Sequence, residues 1–202
     1  MIERLGQVAK RPVSRETIER LKEYVALLRE ENERQNLVSA ATLEQVWDRH
    51  ILDSAQLVSL ESHAGSSWLD IGSGAGLPGI VIACLVRGPV TLVEPRRLRA
   101  EFLHKAVESL NLSACVLCRK AERVDGSFDV IAARAVASLT QLLKISAHLS
   151  TRKTVWALPK GRGAERELAE AQKAWQGNFR VEPSVTDAES FIVVGTEVRA
   201  RK

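Results

Sequence analysis

One acid, Asp70, ends a short apolar run, and glycines follow it at 72, 74, 76 and 79 in the stretch WLDIGSGAGLPG. So much glycine after a strand suits a backbone that must approach a ligand closely. Read from Gly74, the stretch matches G-x-G-x-x-G, the dinucleotide fingerprint. A second acid, Glu94, ends the next apolar run, where a nucleotide cofactor needs a partner for its ribose hydroxyls. The loop and Glu94 together imply a nucleoside-containing cofactor. Asp70 bears on which one. A carboxylate there suits a cofactor carrying an ammonium and a sulfonium, and it would repel a pyrophosphate. A nicotinamide oxidoreductase and a non-catalytic RNA-binding scaffold remain open as alternatives.

These residues need a scaffold, and the chain predicts one. The first 60 residues look helical. Ile18, Leu21, Val25 and Leu28 follow helical spacing behind Ser14 as N-cap, and a second helix is expected from Thr42, with Gln45 completing a capping box. It would carry Val46, Ile51, Ala55 and Val58 inward. From Gly65 onward short apolar runs alternate with helical segments. The strands expected are SWLDI, VTLVE, ACVLC, FDVIAA and TVWAL, with helices over 78–86, 98–110, 139–149 and 165–175. That alternation predicts an α/β fold with a doubly wound, mostly parallel sheet. FRVEP and SFIVVGTEV lie too close together for a helical crossover, so the last strand should be antiparallel. The expected division is a helical N-terminal extension over 1–60 and a Rossmann-like cofactor-binding domain over 61–202, forming one compact unit.

Ligands of such sheets bind beyond the carboxyl ends of the strands. Basic residues dispersed in sequence should converge there: Arg96, Arg97 and Arg99, then Arg119 and Lys120, then Arg134, then Lys160 and Arg162. Residues 94–166 hold 14 Lys+Arg against 7 Asp+Glu, a net of +7, whereas residues 1–60 hold 9 against 10. A basic central region suits a polyanionic partner. Cys115 and Cys118 lie three apart on a predicted strand, face opposite ways and read as small core residues. His50, His63, His104 and His148 have no metal-ligand spacing, so no metal is expected. The N-terminal MIERLGQVAKRPVS has no signal-like apolar core, and no apolar run approaches the roughly 20 residues of a bilayer span. A cytoplasmic protein with no membrane partner is expected.

From Asp70, the frame D-x-G-x-G-x-G is that of the Rossmann-like class I methyltransferases. The resemblance then narrows. The blocks NLVS (36–39), RHILDS (49–54), DIGSGAGLPGI (70–80), KAE (120–122), FDVIAARAVASL (128–139) and KG (160–161) stand in the same order as in the RsmG (GidB) family, which the chain resembles over about residues 36–161. The resemblance implies a 16S rRNA guanine-N7 methyltransferase that uses S-adenosylmethionine and acts on guanine-527 in standard rRNA numbering. It implies cofactor contacts from Gly72 and Leu77 in the loop, Ala121 and Glu122 about the adenine, and Arg134 at the cofactor–substrate boundary. Asp70, Gly74, Gly76 and Glu94 complete the expected cofactor set. Arg97, Arg99 and Lys160 are the expected substrate contacts, with 16S rRNA or the small ribosomal subunit as partner and a monomer as the expected state. No catalytic acid or base stands out. The family's lysine four residues after the second-strand acid is here Leu98, and its L-K-G is here Leu158-Pro159-Lys160-Gly161.

Overall fold

The computed structural model describes residues 1–201. Helices α1 (Ile2–Ala9) and α2 (Arg15–Gln35) open the chain. Ser14 caps α2 as expected, its hydroxyl accepting from the Thr17 amide at 3.1 Å. The next helix, α3 (Ala40–Glu44), begins two residues earlier than Thr42. Ser39 is its cap and accepts from the Thr42 amide, so Thr42 is a first-turn residue and the Gln45 capping box does not form. The chain continues through a π-helical turn, Trp47–Leu52, into α4 (Asp53–Ala55) and a 3-10 turn, Gln56–Leu60. Val46, Ile51, Ala55 and Val58 all point into the core.

Then come β1 (Trp68–Ile71), α5 (Gly79–Leu85), β2 (Val90–Val93), α6 (Arg97–Ser109), β3 (Ala114–Leu117), β4 (Val130–Ala132), α7 (Leu139–Ser146), β5 (Val155–Lys160), α8 (Ala164–Ala171), β6 (Trp175–Pro183) and β7 (Phe191–Ala200). The sheet order is β3-β2-β1-β4-β5-β7-β6. The first five are parallel, and β7 runs antiparallel to both its neighbours. The final helix ends at Ala171 rather than Trp175, because Trp175 already pairs with Ala200 in the long terminal hairpin.

Period-two alternation divides the core. Trp68, Val90, Leu92, Val130 and Ala157 face one cluster, while Leu69, Ile71, Val93, Ile131 and Trp156 face the other. The first cluster also holds Leu5, Leu21, Tyr24 and Leu28, so α1 and α2 bury their apolar stripes in the same core as α5 and α6. Each fully buried Leu contributes about 1.5–3 kcal/mol. β3 is an edge strand, and this overturns the expectation for the cysteines: Cys115 and Cys118 are exposed, because one flank of β3 has no neighbouring layer to bury them. No described helix is long and apolar enough to cross a membrane.

The order reverses between β1 and β4, since β2 and β3 lie on one side of β1 and β4 and β5 on the other. A crevice opens at such a switch point. The loops leaving β1 and β4 meet there.

Candidate functional site

The loop after β1 is held from beneath. Asp70 points to the α5 side of the sheet, and its Oδ2 accepts from the Gly79 amide at 3.0 Å. Its Oδ1 is buried with no partner among the described residues. Gly79 makes the approach possible: a Cβ there would lie 2.2 Å from Leu92 Cδ2 and 2.5 Å from Asp70 Oδ2. Above, the amides of Gly72 and Ser73 donate to the Val93 carbonyl, those of Gly76 and Leu77 to the Ser73 carbonyl, and that of Gly74 to Glu94 Oε2 at 3.0 Å. A phosphate-binding loop keeps such amides free for the ligand. Here they are engaged, and a carboxylate already occupies the start of α5. The site therefore disfavours the pyrophosphate of a dinucleotide.

Burial pushes Asp70 up from 3.8 to about 6, against the hydrogen bonds and the Arg134 charge that pull it down. Between those values the folded chain holds a proton that the unfolded chain has lost. Stability therefore falls as pH rises through this window, by about 3 kcal/mol in all, and is flat above it. Asp70→Asn keeps an oxygen for Gly79 and is expected to flatten the thermal-stability profile between about pH 4 and pH 7. An unchanged slope in that variant would assign the titration to another group.

Glu94 is buried at the end of β2, with Oε1 accepting from the Arg96 amide at 2.8 Å. Two backbone donors thus fix its carboxylate beside Gly74. Arg99 leans over the same glycine, its Nη1 3.5 Å from where a Cβ on Gly74 would stand, so this arginine lies against the glycine loop. Arg97 instead points to solvent and pairs with Glu101 at 2.8 Å. Ala121 is buried in a 3-10 turn after β3, and Glu122 beside it is exposed. The Leu77 side chain lies in the core and anchors the loop. Tyr24 of α2 reaches the loop too, donating to the Ala75 carbonyl at 2.8 Å. Burial pushes its phenol far up, which keeps the hydroxyl a neutral donor.

The loop after β4 closes the crevice. Val136 Cγ2 would lie 2.6 Å from a Cβ on Gly72, whose φ is +67°, so a side chain there would push the β4 loop away. Arg134 fastens one end of this loop to the helical extension. It donates to Asp53 Oδ2 at 3.2 Å, the Arg49 carbonyl at 3.4 Å and His50 Nδ1 at 3.3 Å. Because arginine only donates, His50 accepts at Nδ1 and carries its proton on Nε2. Burial, followed by the Arg134 charge, pushes His50 down to about 4, so it is neutral. The RHILDS block therefore acts as a packing network around Arg134.

Lys160 fastens the other end of the loop. Its Nζ donates to the Ala137 carbonyl at 3.0 Å and to Glu167 Oε2 at 2.9 Å, and its side chain is 11% exposed. Between the two fastenings, a cavity of about 650 Å³ opens, walled by His50, Asp53, Arg134, Ser138, Lys160 and Glu167 and closed by residues of the β6–β7 turn. Sequence reasoning did not reach Tyr24 or Glu167, because each acts through a partner distant in the chain. No grouping of His, Cys, Asp and Glu that could hold a metal occurs among the described residues.

The family model described as "GidB: rRNA small subunit methyltransferase G" matches residues 17–190. A ribosomal RNA small subunit methyltransferase G from Zymomonas mobilis subsp. mobilis is 45% identical over 199 residues, covering 94% of this chain and 90% of its own. The protein of that name from Novosphingobium aromaticivorans is 50% identical over 184 residues, covering 89% and 80%. Among solved structures, a SAM-dependent methyltransferase from Aquifex aeolicus matches with a TM-score of 0.62 at 14% identity, over 76% of this chain and 93% of that one. TYW2 of M. jannaschii in complex with AdoMet matches at 0.57 and 14% identity, over 81% and 78%. At such identities the structural matches speak for the fold.

Proposed function

The chain belongs to the rRNA small subunit methyltransferase G (GidB) family, and on that premise we propose that it transfers the methyl group of S-adenosylmethionine to N7 of guanine-527 of 16S rRNA. The observation that carries the cofactor half is the pair of fixed carboxylates at a glycine loop whose amides are engaged. The carboxylate of Glu94, fixed at the end of β2, suits two ribose hydroxyls. The unpartnered, buried Oδ1 of Asp70 suits a cationic ligand and repels a phosphate. Arg99 and Arg134 bring positive charge to the same crevice and suit the ligand's carboxylate.

When bound, S-adenosylmethionine supplies an electrophilic methyl group on a sulfonium. Guanine N7 brings a lone pair and no proton, so the new N–C bond forms as the S–C bond breaks and no general base is needed. What remains for the chain is alignment, which is worth about 7–11 kcal/mol when the reacting atoms are held in line. Glu94 and the loop hold one partner. The 650 Å³ cavity across the Val136 loop has room for one purine, with neutral His50 and paired Arg134 forming its wall. Arg97 and its exposed neighbour Arg96 remain as contacts for RNA phosphates.

The test supplies labelled methyl donor and small subunits lacking the modification, then maps the label. Label on N7 of that guanine is the expected result. Label on another base atom, or on another nucleotide, would reject the reading.

A further inference from the structure

If the cavity takes the guanine with N7 toward the methyl donor, the Watson–Crick edge of the base faces the far wall. That edge offers two donors, N1–H and the N2 amino group, and a carboxylate oxygen is the acceptor that matches them. Four carboxylates line the cavity. Asp53 is spent on Gln56, Thr186 and Arg134. Asp187 is spent on Arg49, Ser190 and the Glu189 amide. Asp48 is turned to Arg4 of α1. Glu167 differs from Asp53 and Asp187 in keeping one oxygen free, and from Asp48 in being held on the other oxygen by two donors. Its Oε2 accepts from the Leu139 amide at 3.0 Å and from Lys160 Nζ at 2.9 Å, while its Oε1 has no partner among the described residues. The carboxylate is thus fixed in orientation by one oxygen and available through the other, at a side chain that is 34% exposed.

We propose that Glu167 is a specificity-determining residue that reads the Watson–Crick edge of the target guanine through Oε1, an inference that rests on the guanine-N7 reading above. Adenine presents an acceptor at N1 and is repelled by the same oxygen. The contact also gains strength along the reaction. Methyl transfer places positive charge on the ring, N1–H becomes more acidic, and its bond to a carboxylate tightens. An interaction stronger in the transition state than in the ground state acts on kcat.

Glu167→Gln discriminates this role from a structural one. The glutamine oxygen still accepts from Leu139 and Lys160, but its NH2 group now faces the two guanine donors. The experiment measures kcat and KM of the full-length wild type and of Glu167→Gln on small subunits reconstituted with 16S RNA carrying either guanosine or inosine at the target. Inosine retains N7 and lacks the N2 amino group. The wild type is expected to lose about tenfold or more in kcat/KM on inosine. The variant is expected to lose a similar factor on guanosine, chiefly in kcat, and to lose little more on inosine. If the variant discriminates the two bases as the wild type does, or the wild type does not discriminate, Glu167 does not read the edge and the N7 reading stands. If the wild type labels neither base at N7, the N7 reading falls and this proposal falls with it.

Discussion

Replacing Glu94 with alanine is expected to weaken S-adenosylmethionine binding by about a hundredfold. Each hydrogen bond to a charged acceptor is worth about 1.5–3 kcal/mol, and a ribose diol offers two donors, of which water recovers part. A net of about 3 kcal/mol corresponds to that factor. Part of the loss is indirect. Glu94 accepts from the Gly74 and Arg96 amides, so the variant also loosens the loop that faces the ligand. Titration calorimetry of purified wild type and variant measures the effect. A loss smaller than about threefold would remove Glu94 from the cofactor site.

Gly79→Ala is expected to damage the fold itself. The added methyl would stand 2.2 Å from Leu92 Cδ2 and 2.5 Å from Asp70 Oδ2. Leu92 lies on β2 and is fully buried, so it has no free space to turn into. Either α5 moves off the sheet or the Asp70–Gly79 hydrogen bond is lost. Overpacking of this kind costs about 3 kcal/mol, at the upper end of its usual range, because a buried carboxylate loses its donor as well. For a chain of this size that lowers the thermal midpoint by about 6–12 °C. A midpoint within about 2 °C of the wild type would show that the helix can shift at little cost.

What could be read from the sequence follows from the range of each interaction. Ser14 as a cap, the strand–helix alternation and the antiparallel end of the sheet depend on neighbours a few residues away, and all of them appear in the fold. That Asp70 and Glu94 stand at one edge of the sheet was legible because the ends of parallel strands share that edge. The pairing of Lys160 was not legible, because its partners, Ala137 and Glu167, are brought to it by β5, α7 and α8 together. The cysteines were misread for a related reason: alternation along β3 is plain in the sequence, but its place at the edge is a property of strand order. Thr42 gave way to Ser39 through a two-residue choice between equally good capping side chains. Glu167 carried no local signal, since a glutamate in the first turn of a helix is an ordinary occurrence.

The hydrogen bond from Tyr24 to the Ala75 carbonyl joins α2 to the middle of the glycine loop, 51 positions away in the chain. Two events on opposite ends of that bond cannot be energetically independent. A methyl donor that steadies the loop also steadies the seat of α2, and amide exchange along α2 should slow when the donor binds. Linkage makes the relation reciprocal. On the reading proposed above, an RNA surface that grips the outer face of α2 in its seated position would raise the affinity for the donor by the same factor by which the donor raises the affinity for that RNA. Through one phenol, α2 would then couple the glycine loop to the surface that holds that helix.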